Sequence, residues 1–118
     1  MIINLTQHQP TPEQIAAGVM DSVMAAEVKV LLTFLELPSR EEIDERAESL
    51  ALLAKAENAD AALIGGAPYL MSSLEHKLHD WGITPLYSFT ERVSEEQVQA
   101  DGSVKKVAVF KHVGFVQA

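Results

Sequence analysis

Short apolar runs alternate with helically spaced segments along most of this chain, and few features narrow the choice of fold more. Residues 1–5 (M-I-I-N-L) read as a buried first strand. Thr11-Pro12-Glu13-Gln14 then carries a helix start: Thr at the N-cap, Pro at the first helical position, and Gln three residues after the cap. Ile15, Val19 and Val23 continue at helical spacing, with Gly18 weakening the pattern beyond that point. Residues 28–34 (V-K-V-L-L-T-F) are β-branched and apolar and are expected to form a second strand. A short helix over residues 21–27 is left open.

The next helix has the strongest signature. Ser39-Arg40-Glu41-Glu42 reads as a capping box, Ile43, Ala47, Leu50 and Ala54 form an apolar stripe, and Glu42 precedes Arg46 by four residues in the favourable order. The acids on its other face read as a solvated surface. Residues 60–64 (D-A-A-L-I) suit a short buried strand closed by Gly65-Gly66-Ala67-Pro68. A helix with Leu70, Leu74, Leu78 and Trp81 on one face follows, stopped by Gly82, and residues 83–89 return as a fourth strand. Finally, Ala100-Asp101-Gly102 between residues 93–99 and 103–110 signals a hairpin.

The order is therefore β-α-β-α-β-α-β followed by a C-terminal β-hairpin. That alternation implies an α/β domain spanning residues 1–118, with a mainly parallel central sheet covered on both faces in a three-layer sandwich. At 118 residues the chain buries roughly two-thirds of its unfolded surface without a disulfide or metal. It has no Cys, which excludes thiolate zinc sites, iron–sulfur clusters and thiol nucleophiles. There is no apolar run of about 18 residues, and the opening Met1-Ile2-Ile3-Asn4 lacks the basic segment and apolar stretch of a secretory signal. A cytoplasmic protein without a membrane partner is expected.

The net charge of −8 argues against coating a long nucleic acid, which requires a Lys/Arg surface. A small anionic ligand held by local donors remains compatible. In an open parallel sheet ligands bind beyond the carboxyl ends of the strands. Three segments meet that edge: Thr6-Gln7-His8, Gly65-Gly66-Ala67-Pro68, and residues 88–92. The glycine pair lets backbone N–H groups approach an anion at a helix's positive end, or simply permits a tight turn. No G-x-G-x-x-G and no Walker lysine accompany it, so dinucleotide and ATP chemistry are disfavoured. His8 suits a general base or phosphate donor, against an ordinary loop histidine. Arg92 suits bidentate donation to phosphate, against a strand-flank charge. His76 and His79 lack a third ligand, so no metal is expected. His112 reads as a surface or packing residue. Thr6, Ser88 and Thr90 offer hydroxyls with no base nearby in sequence and no G-x-S-x-G elbow.

Ala62-Leu63-Ile64-Gly65-Gly66 through Tyr69-Leu70-Met71, then Ile83-Thr84-Pro85-Leu86-Tyr87-Ser88-Phe89-Thr90-Glu91-Arg92-Val93-Ser94-Glu95-Glu96, resemble a family of small stand-alone CRISPR-associated proteins. The tail Asp101-Gly102-Ser103-Val104-Lys105-Lys106 with Val109-Phe110-Lys111-His112-Val113-Gly114-Phe115 continues the likeness, as does the opening Thr6-Gln7-His8 with Thr11-Pro12-Glu13-Gln14. The resemblance implies a Rossmann-like fold of the CARF type, usually a homodimer, that binds a cyclic oligoadenylate across its axis. Some such proteins are ring nucleases that cut this messenger and end a type III CRISPR response. They need no cofactor or metal: a ribose 2′-hydroxyl is held in line with the adjacent phosphate, leaving a 2′,3′-cyclic phosphate. Carried over residue by residue, the likeness marks His8, Thr90 and Arg92 as catalytic, and Thr6, Gln7, Gly65, Gly66, Ala67 and Ser88 as ligand-binding. The alternative is a non-catalytic nucleotide-binding or protein-interaction module of a mobile element or phage.

Overall fold

The computed structural model describes residues 1–118. Its elements run β1 (Ile2–Leu5), α1 (Pro12–Ala16), β2 (Val19–Asp21), α2 (Ala25–Leu32), α3 (Arg40–Ala56), β3 (Ala61–Ile64), α4 (Pro68–Asp80), β4 (Thr84–Val98) and β5 (Val104–Gln117). They form a mixed α/β fold around a five-stranded sheet in the order β2-β1-β3-β4-β5. β2, β1, β3 and the start of β4 are parallel, and β4 and β5 pair antiparallel.

Local chemistry explains most element ends. Thr11 Oγ1 accepts from the Gln14 N–H at 3.2 Å, and Gln14 Oε1 accepts from the Thr11 N–H at 3.1 Å, completing the expected capping box of α1. Ser39 Oγ caps α3 by accepting from the Glu42 N–H at 3.1 Å. The reciprocal half of that box does not form, because the Glu42 carboxylate turns forward to Arg46 at 2.9 Å. Asp101 Oδ1 accepts from the Ser103 N–H and hydroxyl, which draws its carboxyl below the usual range and closes the turn between β4 and β5.

Three segments differ from the sequence reading, two of them before α3. α1 stops at Ala16 instead of continuing through Val23, because Gly18 takes φ +104° and turns the chain into β2. Val19 then pairs with Ile2 in the sheet. Residues 28–34, expected as a strand, lie largely in α2. Their apolar content resembles a strand, but Val28 and Leu32 are the buried positions while Val30 is 68% exposed, which is a helical spacing. Tertiary contacts start this helix in place of a local cap: Ser22 Oγ accepts from the Met24 N–H, and the Glu57 carboxylate accepts from Ser22 Oγ and the Val23 N–H.

The core lies on one side of the sheet. Ile3 and Leu5 of β1 and Ala62 and Ile64 of β3 meet Val28 and Leu32 of α2, Leu50 and Ala54 of α3, and Leu70, Leu74 and Leu78 of α4. Alternation along the strands turns Asn4, Leu63 and Ser88 to the opposite side, where α1 lies. β4 does not end at residue 89 as the separate fourth strand did in the sequence reading; it runs on as one arm of the hairpin. The hairpin leaves the body, which accounts for extents of 55 × 32 × 24 Å and a radius of gyration of 16.8 Å. A globular domain of 100 residues has a radius near about 13 Å. Glu91 faces Lys111 and Glu96 faces Lys106 along the arm, the opposite-charge pairing that supports neighbouring strands.

Candidate functional site

The strand order reverses between β1 and β3, since β2 lies on one side of β1 and β3 on the other. At such a switch point the loops leaving the two carboxyl ends diverge and open a crevice. A pocket of about 420 Å³ occupies it, within the range that holds a nucleotide-sized ligand. Thr6, Gln7 and His8 line it from the loop after β1, Gly65 and Gly66 from the loop after β3, Ser88 and Thr90 from β4, and Thr11 and Gln14 from the start of α1.

Asn4 organises the β1 side. It is 5% exposed in an otherwise apolar strand. Its Nδ2 donates to the His8 carbonyl oxygen at 2.8 Å and to Asp21 Oδ1 at 2.9 Å. Its Oδ1 accepts from the Thr6 N–H at 3.1 Å and from Thr6 Oγ1 at 2.7 Å. One buried amide thus satisfies its whole hydrogen-bonding capacity in shaping the Thr6–His8 turn. Across the pocket a Cβ added to Gly65 would meet Thr6 Cγ2 at 3.6 Å, so the glycine's missing side chain leaves floor space beside Thr6. Gly66 takes φ +148°, a conformation side chains disfavour.

The β4 wall is polar and connected. Gln14, 8% exposed, donates from Nε2 to Ser88 Oγ at 3.2 Å. Ser88 Oγ in turn lies 2.9 Å from His112 Nδ1. Next to Ser88, the Tyr87 hydroxyl donates to Glu75 Oε2 at 2.6 Å. Burial and the neighbouring Glu75 carboxylate hold the Tyr87 phenol well above its ordinary ionisation range.

Seven of the nine site residues expected from sequence therefore share one pocket: Thr6, Gln7, His8, Gly65, Gly66, Ser88 and Thr90. Ala67 does not line it; it is the N-cap of α4 and packs against the core. Arg92 does not line it either. It sits two residues beyond Thr90 on the exposed arm, opposite Phe110. His76 Nδ1 and His79 Nε2 each lie 3.0 Å from a different carbonyl oxygen, of Ser72 and Ala118.

Sequence reasoning missed Asn4, Gln14 and His112 as parts of this site. A polar residue inside the run M-I-I-N-L was the available signal for Asn4. A larger cavity of about 510 Å³ lies between α2, the following loop and α3. Its Arg46 is already committed to the carbonyl oxygens of Val30, Leu31 and Thr33, to Glu42, and to the Phe34 ring at 4.3 Å. The smaller pocket, whose His8 imidazole and Thr90 hydroxyl are not tied up in hydrogen bonds within the protein, is the better candidate.

A family model described as the uncharacterized protein MJ1673 family matches residues 1–116. The chain belongs to that family. Curated proteins and solved structures give no match to it. As a member of the MJ1673 family it presents hydroxyl, amide and imidazole groups in the pocket, and no Lys or Arg among the lining residues. Such a lining can hydrogen-bond phosphate or sugar oxygens and move protons, but does not neutralise a large charge. No helix of this MJ1673-family chain is long and apolar enough to cross a membrane.

Proposed function

We propose that the chain is a cytoplasmic homodimer of Rossmann-like, CARF-type fold that binds a cyclic oligoadenylate and cuts it without a metal. The convergence of the Thr6–His8 turn, the Gly65-Gly66 bend and Ser88 with Thr90 in one pocket carries this reading. A pocket of about 420 Å³ takes one nucleotide of such a ring, and a second copy across the axis takes another part of it. The Thr90 hydroxyl donates to a phosphate oxygen, the Thr6–His8 turn held by Asn4 shapes the facing wall, and His8 protonates the leaving oxygen. Arg92, two residues beyond Thr90 on the exposed arm, answers the charge of an adjoining phosphate. Rate enhancement then comes from holding the 2′-hydroxyl in line with phosphorus and from donors aimed at the developing charge.

Incubation with cyclic tri-, tetra- and hexa-adenylate, with and without EDTA, tests this. The expected products are linear, end in a 2′,3′-cyclic phosphate and are insensitive to EDTA. The exposed arm, with Phe110 74% exposed, favours a second reading as a non-catalytic nucleotide-binding or protein-interaction module. Tight binding without cleavage supports that reading. Neither binding nor cleavage across the series overturns both nucleotide readings.

A further inference from the structure

The pairing of β4 with β5 slips by one residue between Phe89 and Thr90: Phe89 faces Gly114, whereas Thr90 faces His112, leaving Val113 without a partner. An inserted residue reverses the facing of everything after it. In an unbroken strand His112 and Phe115, three residues apart, would lie on opposite faces. The bulge puts them on the same face, with ring centroids 4.8 Å apart, and aims His112 Nδ1 at Ser88 Oγ across 2.9 Å. Gln14 donates to the same Ser88 oxygen at 3.2 Å, and the capping box fixes Gln14 itself. With Gln14 supplying a hydrogen to Ser88 Oγ, the serine's own proton goes to His112 Nδ1 in the tautomer that carries its hydrogen on Nε2. Ser88 faces the pocket; His112 stands behind it.

The geometry points to Ser88 and His112 as a proton-accepting pair, with His112 the base that acts through the Ser88 hydroxyl. This deepens the ring-cleavage reading and rests on it for the substrate. As the ribose 2′-hydroxyl gives its proton to Ser88 Oγ, Ser88 passes its own to His112 Nδ1. The 2′ oxygen bonds to phosphorus, the bond from phosphorus to the 5′ oxygen breaks, and that oxygen takes a proton from His8 in its protonated form. The two histidines end with exchanged protonation states, which solvent resets. His112 is a positioning and relay residue, since it reaches substrate only through Ser88.

A hydroxyl activated this way also attacks a phosphonofluoridate, which gives a readout independent of any nucleotide. Wild-type protein is expected to form an adduct at Ser88, located by peptide mass spectrometry, at a rate that climbs with pH along one titration curve. H112Q, which can retain a hydrogen bond to Ser88 but cannot titrate, is expected to lose that pH dependence and to react about 100-fold more slowly. S88A gives no adduct. On a cleavable ring, S88A and H112Q are expected to lower turnover by about 100-fold with affinity retained. An absent Ser88 adduct in the wild type, or equal labelling of H112Q, overturns the pair. Labelling that follows the expected pattern in a protein that cleaves no ring upholds the pair and overturns only the substrate reading.

Discussion

Gln14 and Ser88, 74 positions apart in the chain, are joined by a hydrogen bond of 3.2 Å. The same Gln14 side chain closes the capping box at Thr11, so a single amide fastens the start of α1 to the pocket wall on β4. Gln14→Ala removes both links and leaves Ser88 Oγ short of a donor. It is expected to cost about 1–2 kcal/mol in chemical denaturation. Amide exchange should rise together in α1 and in residues 86–90.

Asn4→Ala strips the Thr6–His8 turn of three hydrogen bonds and Asp21 of a fourth, all from within a buried strand. Loss of about 2–3 kcal/mol is expected, because Asp21 and the His8 carbonyl lose their donor along with the strand's packing. The denaturation midpoint measures the stability loss. Ligand titration of the folded fraction should show weaker binding as well, since the turn carries Thr6 and His8.

The two pocket glycines should respond differently to a methyl group. Gly65→Ala places a Cβ in ordinary contact with Thr6 and outside the left-handed region, so stability should hold to within about 0.5 kcal/mol. Its methyl nevertheless occupies the pocket floor, and binding of a nucleotide ring should weaken about 10-fold. Gly66→Ala, at φ +148°, should instead cost about 1 kcal/mol or more in stability. Equal effects of the two on folding would contradict the geometry described.

Tyr87 sets an alkaline limit. Its phenol is raised by burial first and by Glu75 second. In the unfolded chain a tyrosine ionises near about pH 10, while the native Tyr87 still holds its proton. Its contribution is therefore complete below that pH and is lost as pH rises beyond it, because deprotonation favours the unfolded state. Ultraviolet titration should show one of the two tyrosines ionising late. Tyr87→Phe should abolish that late step and flatten the dependence of stability on pH above about 10.

The legible parts of this molecule rest on short-range chemistry. The caps at Thr11 and Ser39, the stripe through Leu70, Leu74 and Leu78, and the Asp101-Gly102 turn involve partners a few residues apart, so their energies are written in consecutive letters. Strand–helix alternation placed Thr6–His8, Gly65-Gly66 and Ser88 at one sheet edge, and they share one pocket there. Residues 28–34 escaped this logic because an apolar run carries no period of its own. Packing of Val28 and Leu32 into the core made it a helix.

What the amino-acid order settled alone was the starts of α1 and α3, the apolar stripes of α3 and α4, the hairpin turn, the edge at which the strand ends gather, and the absence of thiol chemistry. Folding in three dimensions decided the rest: the partners of Asn4, the exclusion of Arg92 and Ala67 from the pocket lining, and the turn of His112 toward Ser88. Each of these depends on register or contact between distant segments. One unpaired residue at Val113 changes which face His112 occupies, and no pattern along a single strand can report what its neighbour will skip.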